Sequence, residues 1–168
     1  HINDAPVSNE GYPPGELFPS DHLTRSAAVG VVAGALSDMG YESDTIVLGS
    51  EPHIAYNVVA EYKGTLFPED VVLVACHLDA FYGGADDNTS AVAAILEIAR
   101  AARSFSFART IRFAAFDLEE LGSVGSTRYI EAGYAGDVSS AIVMDLIGFS
   151  SAEPDSQKDI FGVKTPDT

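Results

Sequence analysis

Apolar residues in this chain fall into two kinds of pattern. Continuous apolar runs occupy 71–76, 110–116 (broken only by Thr110 and Arg112) and 141–144. Runs of that length, bounded by polar residues and Gly, predict strands, and the one at 71–76 reads as buried on both faces. Elsewhere the apolar positions recur every three or four residues. Leu23, Ala27, Val31 and Ala35, joined by Ala28, Val32, Leu36 and Met39, predict a helix that Ser20 or Asp21 caps and Gly40 ends. Val92, Ile95, Leu96 and Ala99 predict the inner face of a second helix, capped by Asn88 or Thr89 and running to Ala101. A third helix is predicted from about 123 to 132. Short strands are predicted near 45–48 and 56–62, and longer ones at 71–77, 110–116 and 141–145. Strand, helix, strand, helix, strand in succession implies right-handed crossovers. The expected fold is therefore α/β, a three-layer α/β/α domain around a largely parallel, mixed central sheet.

Three stretches follow from the same pattern. Residues 1–20 carry Pro6, Gly11, Pro13, Pro14, Gly15 and Pro19 and predict an irregular arm. Residues 21–150 form the predicted domain. Residues 151–168 form a polar tail with Pro154, Gly162 and Pro166. At 168 residues and 46% hydrophobic, the chain has enough apolar content for one compact core. It has no apolar run long enough to cross a bilayer. A single cysteine, Cys76, excludes an internal disulfide and a cysteine-rich zinc module; inside an apolar strand it reads as core filler.

Charge narrows the partners. The net charge is −16, with lysine only at Lys63, Lys158 and Lys164. Such a surface disfavours nucleic acid and anionic membranes. It keeps a protein soluble where salt screens the repulsion, so a secreted, extracellular or periplasmic setting is the expectation. No basic and then apolar leader opens the sequence, but a mature chain lacks one in any case.

The chemistry gathers where strands end. The strand at 71–77 leads into His77-Leu78-Asp79, the next into Asp117-Leu118-Glu119-Glu120, and the last into Asp145. Ligands of open α/β sheets bind outside the carboxyl ends of the strands. Imidazole and carboxylates collected there are donors for zinc or a similar divalent cation. His77 and Asp79 lie two apart and share a face of an extended strand, so one can bind while the other binds too or orients it. Asp86-Asp87, in a Gly-flanked loop before a helix, repel each other. A carboxylate bridging two cations removes that repulsion, although one could equally cap the helix. Glu119-Glu120 point in different directions, so one can ligate while its neighbour acts as a base. A phosphate loop and a G-x-S-x-G serine elbow are both absent from the sequence. Asn88-Thr89-Ser90 matches a glycosylation sequon, read as coincidental beside the proposed metals.

These residues carry a resemblance. Asn57-Val58-Val59-Ala60, His77-Leu78-Asp79, Gly84-Ala85-Asp86-Asp87-Asn88-Thr89-Ser90, Phe116-Asp117-Leu118-Glu119-Glu120-Leu121-Gly122 with Gly125-Ser126, and Met144-Asp145-Leu146-Ile147-Gly148 resemble the M28 family of co-catalytic zinc peptidases. The likeness runs from about residue 20 to 150. It implies two Zn2+, a peptide or N-terminal amino-acid substrate, and an aminopeptidase-type hydrolysis. It implies that His77 and Asp145 hold the first zinc, that Asp86 bridges both, and that Glu120 holds the second. Glu119 would be the general base, and Asp79 would orient His77. A cis peptide between Asp86 and Asp87 is implied as well. The family pattern needs one more histidine, after the Met-Asp position, which this chain does not reach. His1, His22 and His53 all precede the motifs and read as surface residues. The first zinc site is thus expected complete and the second short of its histidine. The domain is expected truncated at its C-terminus, with an open sheet edge that invites self-association. A glutaminyl cyclase-like acyltransferase and a non-catalytic peptidase-like interaction domain are the alternatives. The intact Glu119 favours chemistry over the second of these.

Overall fold

The computed structural model describes residues 22–51, 53–80 and 84–148. The expected arm at 1–20 and tail at 151–168 lie outside the described residues. In chain order the elements are α1 (His22–Asp38), β1 (Ser43–Leu48), β2 (Ala55–Tyr62), β3 (Phe67–His77), α2 (Thr89–Ala102), β4 (Arg109–Phe116), α3 (Val124–Glu131) and β5 (Val138–Val143). Gly40 ends α1 as its left-handed backbone allows, at φ 82°. The N–H of Tyr41 then bonds back to the carbonyl of Leu36 at 3.1 Å.

The five strands form one sheet in the order β1-β2-β4-β3-β5. β3 lies parallel to both β4 and β5, while β2 runs antiparallel to β1 and β4. The sheet is therefore mixed, with a parallel half on the β3 side and a hairpin (β1 and β2) on the other. β3 supplies both inner faces. Val74 and Cys76 face a core shared with α1 and α2, through Ala28, Val32, Leu36, Val92, Ile95 and Ala99. Leu73 and Ala75 face a second core with Phe116 and with Tyr129 of α3. That double burial is why the run at 71–76 is apolar without alternation. Three layers result, the one formed by α3 being the thinner.

Two strands depart from expectation at their ends. β3 begins at Phe67 rather than 71, through a register slip between Phe67 and Val71. Pro68 sits in that exposed, irregular start, the kind of place where a strand tolerates proline. β5 occupies 138–143 rather than 141–145. It is an edge strand, mostly exposed, and after Val138, which packs on the second core, Ser139 and Ser140 carry no apolar signature.

The connections explain where a site can form. The β3–β4 crossover through α2 and the β4–β5 crossover through α3 run in opposite directions along the sheet. Right-handed crossovers of opposite direction place their helices on opposite faces. The loops leaving β3 and β4 therefore diverge and open a crevice at the carboxyl ends of the strands. Arg112 of β4 braces the far end of this layout. Its guanidinium donates to both oxygens of Asp137 (2.9 and 2.7 Å), to Glu61 (2.7 Å) and to the carbonyl of Tyr134 (2.7 Å). Those contacts tie β2 and β4 to the turn that starts β5.

Candidate metal centre

His77 ends β3 with its ring buried. Its Nδ1 lies 3.0 Å from the backbone carbonyl of Asp79, which orients the ring. Nε2 then faces the crevice, 3.1 Å from Oδ1 of Asp87 and 3.4 Å from Oδ1 of Asp145. Ligand atoms of His77, Asp87 and Asp145 all lie within 4.8 Å of one another. A tetrahedral ion with bonds of about 2.0–2.1 Å holds its donors about 3.3–3.4 Å apart. The two measured separations bracket that edge, and one imidazole with two carboxylates is a donor set that suits zinc. The residues present therefore fit the ion. Burial pulls the His77 imidazole down, but Asp79, Glu119 and Asp145 outweigh it and push it up to about 9. An imidazole so strongly drawn toward a positive charge marks a place where a cation is electrostatically welcome.

The residue next to the expected bridging aspartate is the one at the crevice. Asp87, not Asp86, faces His77. Asp86 turns the other way, and its Oδ1 accepts the N–H of Gly148 at 2.7 Å. The cis peptide shows the same offset: it joins Asp87 to Asn88, not Asp86 to Asp87. Two adjacent aspartates look alike in sequence, and only the path of the loop decides which one enters the crevice. Asn88 holds the N-cap position of α2 without a side-chain cap bond. Its amide donates to the carbonyl of Met144 (3.2 Å) and accepts from the N–H of Leu146 (3.2 Å). Only 1% exposed, it is closed to glycosylation, in keeping with a coincidental sequon.

Asp79 meets His77 chiefly through its backbone carbonyl. Its carboxylate stands 3.6 Å from Nδ1 of His77, and the shorter contact to that nitrogen is its own carbonyl. The carboxylate oxygens instead accept the N–H groups of Glu119 (3.0 Å) and Glu120 (3.2 Å). A buried acid at the end of β3 thus holds the acidic turn that follows β4. In that turn Leu118 sits at φ 57° and Ser123 at φ 57°, backbone that non-glycine residues rarely adopt. Glu119 reaches the crevice with Oε2 4.0 Å from Nε2 of His77, while its Oε1 accepts the Ser123 hydroxyl at 3.1 Å. Glu120 is partly buried on the same turn, outside the group of three donors.

The scaffold beneath the turn was not foreseen. Asp117 is fully buried and paired with Arg25 of α1, and it accepts the N–H of Tyr56 (2.9 Å) and of Leu118 (2.9 Å). Burial pushes its carboxyl up to about 6, against the pull of Arg25 and those N–H groups. Asn57 bonds both the N–H of Asp117 (3.0 Å) and the carbonyl of Gly125 (2.9 Å). Arg25 and Asp117 lie 92 residues apart, so no local pattern announces the pair. Cys76 is buried filler, as expected; burial and the nearby Asp145 push its thiol up to about 12.

An imidazole and two carboxylates thus gather at the switch of a mixed sheet, a candidate metal centre in an α/β domain. A profile of peptidase family M28 matches residues 57–166, well over half of the chain, and the chain belongs to that family. Leupeptin-inactivating enzyme 1 of Streptomyces exfoliatus is 32% identical over 129 residues, covering 73% of this chain and 29% of that protein. Aminopeptidase YwaD of Bacillus subtilis is 44% identical over 64 residues, covering 37% of this chain and 14% of that protein. A solved zinc aminopeptidase from Bacillus subtilis superposes with a TM-score of 0.54 at 30% identity, over 58% of this chain and 26% of that one. A glutaminyl cyclase from Porphyromonas gingivalis superposes with a TM-score of 0.63 at 22% identity, over 74% of this chain and 51% of that one, a likeness of fold. The chain spans less than a third of the length of the curated relatives it matches. No helix among the described residues is long and apolar enough to cross a membrane.

Proposed function

We propose that this chain carries the metal-binding part of a zinc-dependent exopeptidase of the aminopeptidase type. One observation supports this most directly: Glu119 stands 4.0 Å from the same His77 nitrogen that faces Asp87 and Asp145. A carboxylate beside a metal site, but outside its closest donors, is placed as a base. His77, Asp87 and Asp145 would hold the first zinc. Asp87 and Glu120 would contribute donors to a second. Zinc bound there would supply a Lewis acid to polarise a peptide carbonyl and lower the pKa of water to about 7. Glu119 takes the proton from the attacking water and delivers it to the departing amine. Ser123 and the Asp79-held N–H keep that carboxylate in place. The acidic crevice suits the ammonium of a free N-terminus.

The test is Glu119→Gln. Metal per chain stays at the wild-type value, while turnover of an aminoacyl-p-nitroanilide falls about 10²–10⁴-fold, the range of general-base catalysis. Unchanged turnover would remove the assigned role. Wild-type cleavage of an Nα-acetylated substrate as fast as the free amine would remove the aminopeptidase reading. Metal analysis of zinc-loaded, desalted protein decides the stoichiometry: two ions per chain support the two-zinc site, one ion the His77-Asp87-Asp145 site alone. A secreted or periplasmic setting accords with the net charge of −16. Self-association through β5 is also part of this reading. Its Ile142 and Val143 are exposed beside an apolar groove of about 700 Å³ between β5 and α2. A concentration-independent monomer in sedimentation would remove it.

A further inference from the structure

The stretch Met144–Gly148 carries Asp145 on exposed backbone just past the end of an edge strand. The ladder to β3 reaches as far as Met144, whose N–H donates to the carbonyl of Ala75 at 2.9 Å, and leaves Asp145 and the residues after it beyond the sheet. The segment that supplies Asp87 and enters α2 meets those residues. Asn88 bonds Met144 and Leu146, the two neighbours of Asp145, one through its amide donor and one through its acceptor. Ser90 Oγ accepts the N–H of Ile147 at 3.2 Å and donates to the carbonyl of Asp86 at 2.7 Å. Asp86 Oδ1 accepts the N–H of Gly148 at 2.7 Å. Three successive N–H groups, of Leu146, Ile147 and Gly148, thus end on three side chains at the entry to α2, those of Asp86 in the loop, Asn88 at the N-cap and Ser90 in the first turn. Gly148 shows how closely the two segments meet. A Cβ there would lie 2.8 Å from Asp86 Oδ1 and 3.0 Å from Ser90 Cβ. Leu146, between the anchored groups, is held at φ 46°.

We propose that Asp86, Asn88 and Ser90 form a clasp that positions Asp145 for the cation without binding it themselves. This rests on the reading of His77, Asp87 and Asp145 as metal ligands. The entry to α2 then does two jobs: Asp87 offers one donor, and its neighbours hold the segment after β5 that offers another. Asp86, which sequence reasoning assigns to the metal, is a positioning residue. The distinction is chemical. A ligand needs its charge, whereas a clasp residue needs only an acceptor at Oδ1.

Zinc affinity by competition with a chromophoric chelator tests this on the full chain. Outer-shell partners of metal ligands cost about 10–100-fold in affinity when removed. Asn88→Ala, Asp86→Ala and Gly148→Ala are each expected to weaken zinc binding within that range, at temperatures well below their melting points. Ser90→Ala, the mildest change and the least liable to disturb the fold, is expected to weaken it severalfold, and Ser90→Thr to restore it. Asp86→Asn keeps the acceptor and holds affinity within about threefold of wild type, while Asp87→Asn loses far more. Loss of binding in Asp86→Asn comparable to Asp87→Asn would make Asp86 a ligand and overturn the clasp. Wild-type affinity in the alanine variants would overturn it as well, leaving the metal reading intact. No zinc binding by the wild-type chain would overturn the metal reading itself, and the clasp with it.

Discussion

Gly125 offers a sharp test of how the acidic turn is built. A Cβ at this position would lie 2.1 Å from the carbonyl oxygen of Asp117 and 2.5 Å from Oδ1 of Asn57. Ordinary carbon to oxygen contacts are no closer than about 3.3 Å, so Gly125→Ala creates an overlap of more than about 1 Å. The neighbours cannot swing aside. One is backbone at the end of β4, and the other is a fully buried side chain bonded to Asp117 and Gly125. Relief requires α3 to lift from the sheet or the 117–120 turn to shift. Overpacking a well-packed site costs about 1–3 kcal/mol, and a backbone obstacle puts this case at the upper end. Breaking the Asn57 bonds adds about 1 kcal/mol or more. For a chain of this size about 3 kcal/mol lowers Tm by about 6–12 °C. Thermal unfolding followed by circular dichroism reads the shift. Gly34→Ala is the matched control: a helical glycine with nothing within 4 Å of its added Cβ. It gains about 0.5–1 kcal/mol from helix propensity, so its Tm rises. If Gly125→Ala melted within about 2 °C of wild type, the close approach of α3 to β4 would be wrong, and so would the account of what holds Glu119.

The buried pair beneath that turn makes two further predictions. Arg25→Ala leaves the Asp117 carboxylate buried without its partner, which costs about 3–5 kcal/mol in chemical denaturation; a loss under about 1 kcal/mol would show that the pair is not closed to solvent. In the wild type the Asp117 carboxyl, pushed up to about 6 in the fold, lies above its unfolded value of about 3.9. The folded chain binds the extra proton, so this group's contribution to stability falls as pH rises from about 4 to 6. Carboxyl-carbon NMR shifts of Asp117 check the midpoint, and one below 4 would reverse the sign.

What sequence showed best is what packing repeats along the chain. β3 was legible because both of its faces are buried, so every residue from Val71 to Cys76 is apolar. The end of α1 was legible because Gly40 alone accommodates its backbone turn. β5 was legible only from Ala141 on, because Ser139 and Ser140 of this mostly exposed edge strand give no periodicity to read. Within the site, His77, Asp145 and Glu119 converge on one crevice as their positions at strand ends imply. The choice between Asp86 and Asp87 was not legible, since it depends on a hydrogen bond to Gly148, 62 residues away. The same holds for Asp79: its carboxylate is turned toward two N–H groups some 40 residues on, so its partners are set by the sheet and not by spacing.

The position of Asp145 just past the end of β5 has a mechanical consequence. β5 is hydrogen-bonded to β3 along one side, braced at its start by Arg112 and Asp137. A cation shared by His77 and Asp145 would rivet its other end to β3. Binding at a hundred times the dissociation constant stabilises the bound form by about 2.7 kcal/mol, and here that energy falls on the seam between two strands. Metal supply would then govern how often the fifth strand peels away, and hydrogen exchange along β5 would act as a gauge of the ion's occupancy.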